Sequence, residues 1–479
     1  MLLQRGRPTD PQTKEEQLAF YQALREFSPA RISKRYAIRS AQDMDWLVPS
    51  DFIPFANPDD STLEMDVGAA FGEELLPEDQ VTHQGQTFDL YRPTQLYTCR
   101  VNPEWGVSER SHSRPDWRVA FQVDQPLTVD ELSNGVWGSY LKSVSFALHE
   151  QHQPVQVSRY YHQATATLSD RTGRQQRVNF AWKKRQRLAV VGAQQWVDGV
   201  RFEFVLTTPQ LTALLQQQRV LAAIRPQYFA YRVRQLPRFA HQSFQAHWVV
   251  ECYLAALLAV VVQQDRSVAQ AVAWVADPAH LDPLATIHKT LFQSDAQSEE
   301  EQLLQQQLSE LLSDRLVVAE LTQCAQALTT PLTADVQAMD WLKQLLVQSL
   351  AAAVQRMALQ ILPDAVEQSL IADTQISTND GTHVIEVWLT ETEGGGNGML
   401  IELANAYRQD PFRVLSLLVH ATQAGEYERL DADLFYLLTQ QWSNPALCDA
   451  VANLRDAADM HGRMAAVDAL KVVLQQQGV

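Results

Sequence analysis

The sequence predicts an α+β protein: an irregular N-terminal arm over residues 1–80, a β-rich domain over 81–208, a helical domain over 209–332 and a C-terminal mixed α/β domain over 333–479. Three observations carry that division. Residues 41–80 contain eleven acids and four prolines but no lysine or arginine, a composition that interrupts regular structure. Short β-branched and aromatic runs follow, several alternating with polar residues, up to residue 207. From Pro209 onward the apolar spacing lengthens to that of helices.

In chain order, residues 15–27 read as a short amphipathic helix, followed by the basic run Arg31, Lys34, Arg35 and Arg39 with no acid inside it. The acidic stretch 41–80 reads as an irregular connection that could wrap another surface. Strands are expected at 87–91, 117–123, 143–148, 156–161, 176–182 and 199–207, together a mostly antiparallel β domain. Helices are expected at 209–224, 243–263, 268–275, 299–328 and 334–362, with the glutamine runs 216–218 and 305–307 as solvated faces inside them. The last portion reads as two strands, 369–377 and 382–391, joined by the turn Thr378-Asn379-Asp380-Gly381. A glycine loop at 393–398 then leads into helices at 399–408, 411–424, 432–441, 445–460 and 463–476.

With 479 residues, 46% of them hydrophobic, the chain can bury two or three separate cores. Cys99, Cys252, Cys324 and Cys448 lie far apart, without the close pairs of zinc or redox motifs, and read as buried thiols in a reducing compartment. Arg5, Arg7 and Pro8 stand where a signal peptide needs an apolar core. The apolar run 247–262 contains Glu251 and is short for a bilayer, so a buried core helix is expected there. These features point to a cytoplasmic chain with no membrane segment. Its formal net charge of -17 repels nucleic acid on average, so any contact with DNA must come from a local basic patch.

The strongest local signal is the loop Glu393, Gly394, Gly395, Gly396, Asn397 and Gly398, set between a strand and a helix where α/β proteins bind phosphates. It is not a nucleotide-hydrolysing loop. Met399 and Leu400 follow Gly398 in place of the lysine and hydroxyl of a Walker motif, and the glycine spacing does not match a dinucleotide fingerprint. Two readings stand: a tight turn that lets the helix pack closely on the strands, or a phosphate or partner contact.

Positive charge is concentrated in Arg171, Arg174, Arg177, Lys183, Lys184, Arg185 and Arg187, with Phe180 and Trp182 interleaved, and again around Arg232 and Arg234 beside Tyr228, Phe229 and Tyr231. Cations neutralise phosphates and aromatic faces stack on unpaired bases, so these nine cationic residues are candidate nucleic-acid contacts. The alternative is that they neutralise the chain's own acidic stretch or an acidic partner. His149-Glu150-Gln151-His152 lacks the one-turn spacing of a metalloprotease helix and reads as a surface loop, and neither His288 nor His383 belongs to a triad motif. Glu386, Glu391 and Glu393 supply carboxylates for a metal-dependent nuclease, but Val387-Trp388 stands where a lysine would be wanted. No catalytic residue, metal site or cofactor is expected.

The segment Glu391-Thr392-Glu393-Gly394-Gly395-Gly396-Asn397-Gly398, with a long helix and strands before it and a helix after it, resembles the C-terminal domain of unknown function attached to superfamily 2 helicases in bacterial defence systems of the DISARM, Druantia and deazaguanine-modification (Dpd) types. In that family an acidic residue precedes a G-G-[AN]-G turn, which Gly395, Gly396, Asn397 and Gly398 match. Arg5-Gly6-Arg7-Pro8-Thr9-Asp10-Pro11 and Phe27-Ser28-Pro29-Ala30-Arg31-Ile32-Ser33-Lys34-Arg35-Tyr36 look like the segment that follows the second motor domain in the fused helicases. Many relatives carry a four-cysteine metal site and histidines on the long helix. The scattered cysteines and the histidine-free run 341–356 do not carry that site over.

The resemblance implies a non-motor accessory subunit of an anti-phage or anti-plasmid DNA defence system, with a superfamily 2 helicase or other defence subunits and DNA as partners. A structural scaffold for protein assembly is the alternative from another class. A nuclease acting through Glu386 or Glu391 is the less favoured third.

Overall fold

The computed structural model of the protein describes residues 2–5, 15–32, 44–83, 85–108, 111–124, 127–131, 140–170, 174–239, 243–264, 266–277, 299–362, 369–423, 425, 436, 449, 450, 453 and 460–476. Lys34, Arg35, Arg39, Arg171, His288 and Cys448 lie outside the described residues, as do the expected helix 432–441 apart from Tyr436 and most of the expected helix 445–460.

The fold is α+β. The chain divides into two compact units, neither continuous in sequence. The first comprises residues 1–204, 354–375 and 386–417, and the second comprises 205–353, 376–385 and 418–479. The acidic arm is therefore part of the β-rich unit, and the segment 333–479 is shared between both. Sequence patterning marks changes of element type, whereas a unit is defined by which elements bury one another.

The first unit begins with β1 (Leu2–Arg5), β2 (Glu15–Gln17), α1 (Phe20–Glu26) and β3 (Asp45–Trp46). The expected helix over 15–27 is thus shorter, because residues 15–17 pair with β1 instead. Next come β4 (Ser61–Asp66), α2 (Val67–Phe71), β5 (Asp79–His83), β6 (Gln86–Tyr91) and β7 (Gln95–Arg100). The long strands follow: β8 (His112–Val123), β9 (Thr128–Glu131), β10 (Leu141–Ala147), β11 (Val155–Ser169), β12 (Gln175–Lys184), β13 (Arg187–Val197) and β14 (Gly199–Thr207). The sequence gives no strand signal for β13, whose Gly192 and glutamines break the expected alternation. Gly192 is required by its neighbour: a Cβ there would stand 2.2 Å from the Arg159 carbonyl oxygen.

Three sheets result, ordered β2-β1-β7-β3, then β4-β12-β11-β13-β6-β5 with β8 also on β11, and a five-stranded sheet that ends in β14-β10-β9. The acidic arm is held by its apolar residues. Phe52, Met65, Val67 and Phe71 are each at most 4% exposed and sit in one core with Phe180 and Trp182. Each such burial is worth about 1.5–3 kcal/mol, which fixes the arm although its acids from Asp51 to Asp79 are exposed.

The second unit holds α3 (Thr208–Leu214), α4 (Gln218–Gln235), α5 (Ser243–Gln264), α6 (Val268–Ala276), α7 (Glu299–Ser313), α8 (Arg315–Ala325) and the first part of α9 (Val336–Ile361). Gln216 and Gln217 fall in the break between α3 and α4, not inside a helix, and both are exposed. Residues 244–261 of α5 are long and apolar enough to cross a bilayer by composition. Here α5 is a core helix, with Ala246, Val249, Val250, Tyr253 and Val260 buried against α4, α6 and α8 residues. Burial pushes the Cys252 thiol up to about 11, so it packs as an inert apolar group.

After α9 the chain forms the hairpin β15 (Leu370–Asn379) and β16 (Thr382–Glu391), which completes the five-stranded sheet in the order β15-β16-β14-β10-β9. Then come α10 (Met399–Gln409) and α11 (Pro411–Ala421), and finally α12 (Met460–Gln476).

Candidate functional site

The glycine loop connects β16 to α10 and wraps two buried carboxylates. Glu391 is fully buried at the end of β16. Its Oε1 accepts from the Leu400 amide at 2.8 Å and its Oε2 from the Asn397 amide, so one side chain caps the first turn of α10. The Asn397 side chain accepts from the Met399 amide at 3.3 Å. Gly395 donates its amide to the Trp196 carbonyl at 2.8 Å, and Gly396 donates to the Glu393 carbonyl at 3.1 Å. The Gly395, Gly396, Asn397, Met399 and Leu400 amides are thus bonded to the chain's own acceptors, with the Glu391 carboxylate where an anion would sit.

Gly395, Gly396 and Gly398 have φ of 89°, 79° and 86°, a region open to glycine and strained for other residues. At Gly396 the space is closed as well, since a Cβ would meet Asp198 Oδ2 at 2.7 Å and Glu391 Oε2 at 3.1 Å. Gly396→Ala is therefore expected to lower stability by about 2 kcal/mol or more. Gly394→Ala, with no atom within 4 Å of the new Cβ, is expected to change it by less than about 0.5 kcal/mol. Paired thermal melts read the difference, and equal melts would contradict the packing.

Asp198 is 1% exposed and links the loop to the turn at His149. Its Oδ1 accepts from the His149 amide at 2.7 Å and from His149 Nδ1 at 2.7 Å. A carboxylate only accepts, so Nδ1 carries the proton and Nε2 is left as the basic nitrogen on a ring one-third exposed. The contact fixes the orientation of the ring, and among the described residues no hydroxyl or thiol is bonded to Nε2. His149 and Asp198 are 49 positions apart, so local spacing held no signal for them. Among the described residues no group of three or more metal-ligating side chains could hold a metal ion. Glu386, a nuclease candidate, instead pairs with Arg201 at 3.3 Å and accepts from Trp388 Nε1 at 3.3 Å.

No family model, curated protein or solved structure matches this chain.

The basic stretch lies along β12 and its hairpin, beside the acidic strand β4, which runs parallel to β12 from Ser61 opposite Val178 to Asp66 opposite Lys183. Lys183 pairs with Glu64, and Arg177 pairs with Asp60 at 3.1 Å while its amide donates to Asp59 at 3.2 Å. Lys184 is 8% exposed, and its ammonium donates to the carbonyls of Glu73 at 3.0 Å and Leu75 at 2.5 Å. Arg174 lies over the Phe55 ring at 5.4 Å and reaches the Phe55 carbonyl at 3.5 Å. Exposed pairs such as Arg177–Asp60 contribute about 0–1 kcal/mol each, so the ladder and the buried apolar side chains hold the arm and the charges set its register.

Arg185 and Arg187 are the exceptions. Both are exposed at the β12–β13 turn, where Arg185 and Gln186 have φ of 47° and 70°. Neither makes an ion pair among the described residues. Arg232 and Arg234 lie on α4 in the other unit, half-buried and exposed respectively, and Arg171 is outside the described residues. Cys99 is exposed, contrary to the expectation of a buried thiol, because it lies near the end of β7 with its Sγ directed to the Trp46 carbonyl.

Proposed function

We propose that this chain is a non-catalytic assembly subunit, cytoplasmic, and that it serves a bacterial DNA-defence complex by docking on a separately encoded superfamily 2 helicase. The observation that carries the assembly reading is the pairing of Arg177, Lys183 and Lys184 with residues of the chain's own acidic arm. Cations engaged in this way release few counterions on meeting DNA, so they add little affinity. The defence setting and the helicase partner rest on the resemblance of residues 391–398 and of the N-terminal stretches 5–11 and 27–36 alone.

A second reading, a direct DNA contact, is favoured by Arg185 and Arg187 at the β12–β13 turn, which are exposed and make no ion pair among the described residues. Filter binding of a DNA duplex at about 50 and 200 mM salt separates the two. The assembly reading expects retention no greater than for an acidic control protein, and no change on Arg185→Glu with Arg187→Glu. Strong retention that falls steeply with salt and is lost in that double variant would overturn it. Charge reversal at Lys183, which sets a carboxylate against Glu64, is expected instead to weaken co-purification with a co-expressed superfamily 2 helicase, by disturbing the register of the arm.

A further inference from the structure

The β15–β16 turn is docked on the first turn of α3, within the second unit, through Thr208 bonds to the Gly381 carbonyl and through one histidine. His383 is 3% exposed, and both of its ring nitrogens are satisfied by hydroxyls. Thr208 donates its amide to the Gly381 carbonyl at 2.9 Å and its hydroxyl to the same oxygen at 3.2 Å. With its proton so placed, the Thr208 hydroxyl accepts from His383 Nε2, 3.1 Å away. His383 Nδ1, 2.9 Å from the Thr378 hydroxyl, is then the acceptor of that hydroxyl's proton. The geometry thus specifies the neutral ring with its proton on Nε2.

We infer that His383 is a proton-sensitive latch: charging the ring releases the β15–β16 turn from the start of α3. A second proton on Nδ1 collides with the Thr378 hydroxyl proton and places a cation against the N-terminal turn of α3, where the helix dipole is positive. That turn is closed by the Thr207–Gln210 capping box, has no acid in it, and offers no carboxylate to the ring. From α9 the ring faces the positive charge of Lys343, and the nearest acid there, Asp340, is already paired with Lys343 at 3.3 Å. Asp380, in the turn itself, is the one other acid on the hairpin within the second unit.

Burial and then Lys343 hold the docked ring below its ordinary pKa. A depressed folded-state value means that docking is fully supported above the free-histidine pKa of about 6.5 and is lost as pH falls toward the docked value. Between the two, the released fraction grows by up to about tenfold per pH unit.

Hydrogen-exchange mass spectrometry on the full chain at about pH 7.5 and 5.5, corrected for intrinsic exchange, tests this. Peptides covering 376–385 and 208–214 are expected to lose protection at the lower pH, while those covering β11 keep theirs. His383→Gln, which keeps hydrogen-bonding groups without a titrating charge, is expected to show the same protection at both. Lys343→Gln should move the loss to lower pH in a chain that retains the histidine. Protection in the natural protein that does not change with pH would overturn the latch, as would a His383→Gln chain that loses it with the same pH dependence. If His383→Gln does not fold, a Lys343→Gln profile superimposed on the natural one does the same.

Discussion

Glu391→Ala is expected to destabilise the first unit by about 3–5 kcal/mol, because one fully buried side chain caps both the glycine loop and α10. Truncation removes two hydrogen bonds from a charged acceptor, each worth about 1.5–3 kcal/mol, and leaves the buried Leu400 amide without an acceptor. The cavity left by the side chain adds to that. Glu391→Gln should fall between, since its amide oxygen can replace one carboxylate oxygen but its NH2 faces the second donor. Urea denaturation followed through tryptophan fluorescence reads the change in the transition of this unit. A shift below about 1 kcal/mol for the alanine variant would mean that the loop is held by something other than this cap.

Arg159→Ala is the second large effect, at about 3 kcal/mol. Arg159 is 8% exposed on β11, and its guanidinium reaches the hairpin twice: Nε and Nη2 donate to Asp373 at 2.9 and 2.7 Å, and Nη2 donates to Thr390 at 2.7 Å. Removing it leaves a carboxylate that is largely buried and a fully buried Thr390 hydroxyl with only the Ile371 carbonyl, 3.5 Å away, as partner. A buried pair is dearest when only one partner is lost, so Arg159→Met with Asp373→Leu should cost less than Arg159→Ala alone. A double-mutant cycle by urea denaturation measures this, and additive losses would show that the two side chains act independently. Tyr21 is coupled to the same guanidinium, and its hydroxyl is held above the ordinary phenol range, chiefly by burial.

Local chemistry made much of the fold legible. The hairpin β15–β16 could be placed because Asn379-Asp380-Gly381 is a turn signal between two alternating runs, and the structure puts Asp380 and Gly381 at φ of 47° and 76°. Helix α5 was expected as a core helix because its apolar run 247–262 includes Glu251. Residues 244–261 are nevertheless long and apolar enough to span, and it is the burial of its residues against neighbouring helices that makes it core. Strand β13 was not legible, since Gly192 and Gln194-Gln195 depart from alternation and are accepted because β11 pairs with them at Tyr160, Ser158 and Val157.

The sequence by itself determined that this is an α+β chain, that a glycine-rich loop leads into α10 and that charge of one sign is gathered at 41–80 and of the other at 171–187. Only the tertiary structure decided that those two charge blocks meet, through the parallel pairing of β4 with β12, and that Glu391, Asp198 and His149 converge on one loop. The reason is physical: turns and helices are specified by residues within a few positions of one another, so their signals survive in one dimension. Ion pairs, caps and carboxylate–imidazole pairs between distant strands depend on sheet register, which is set by burying the whole apolar face at once.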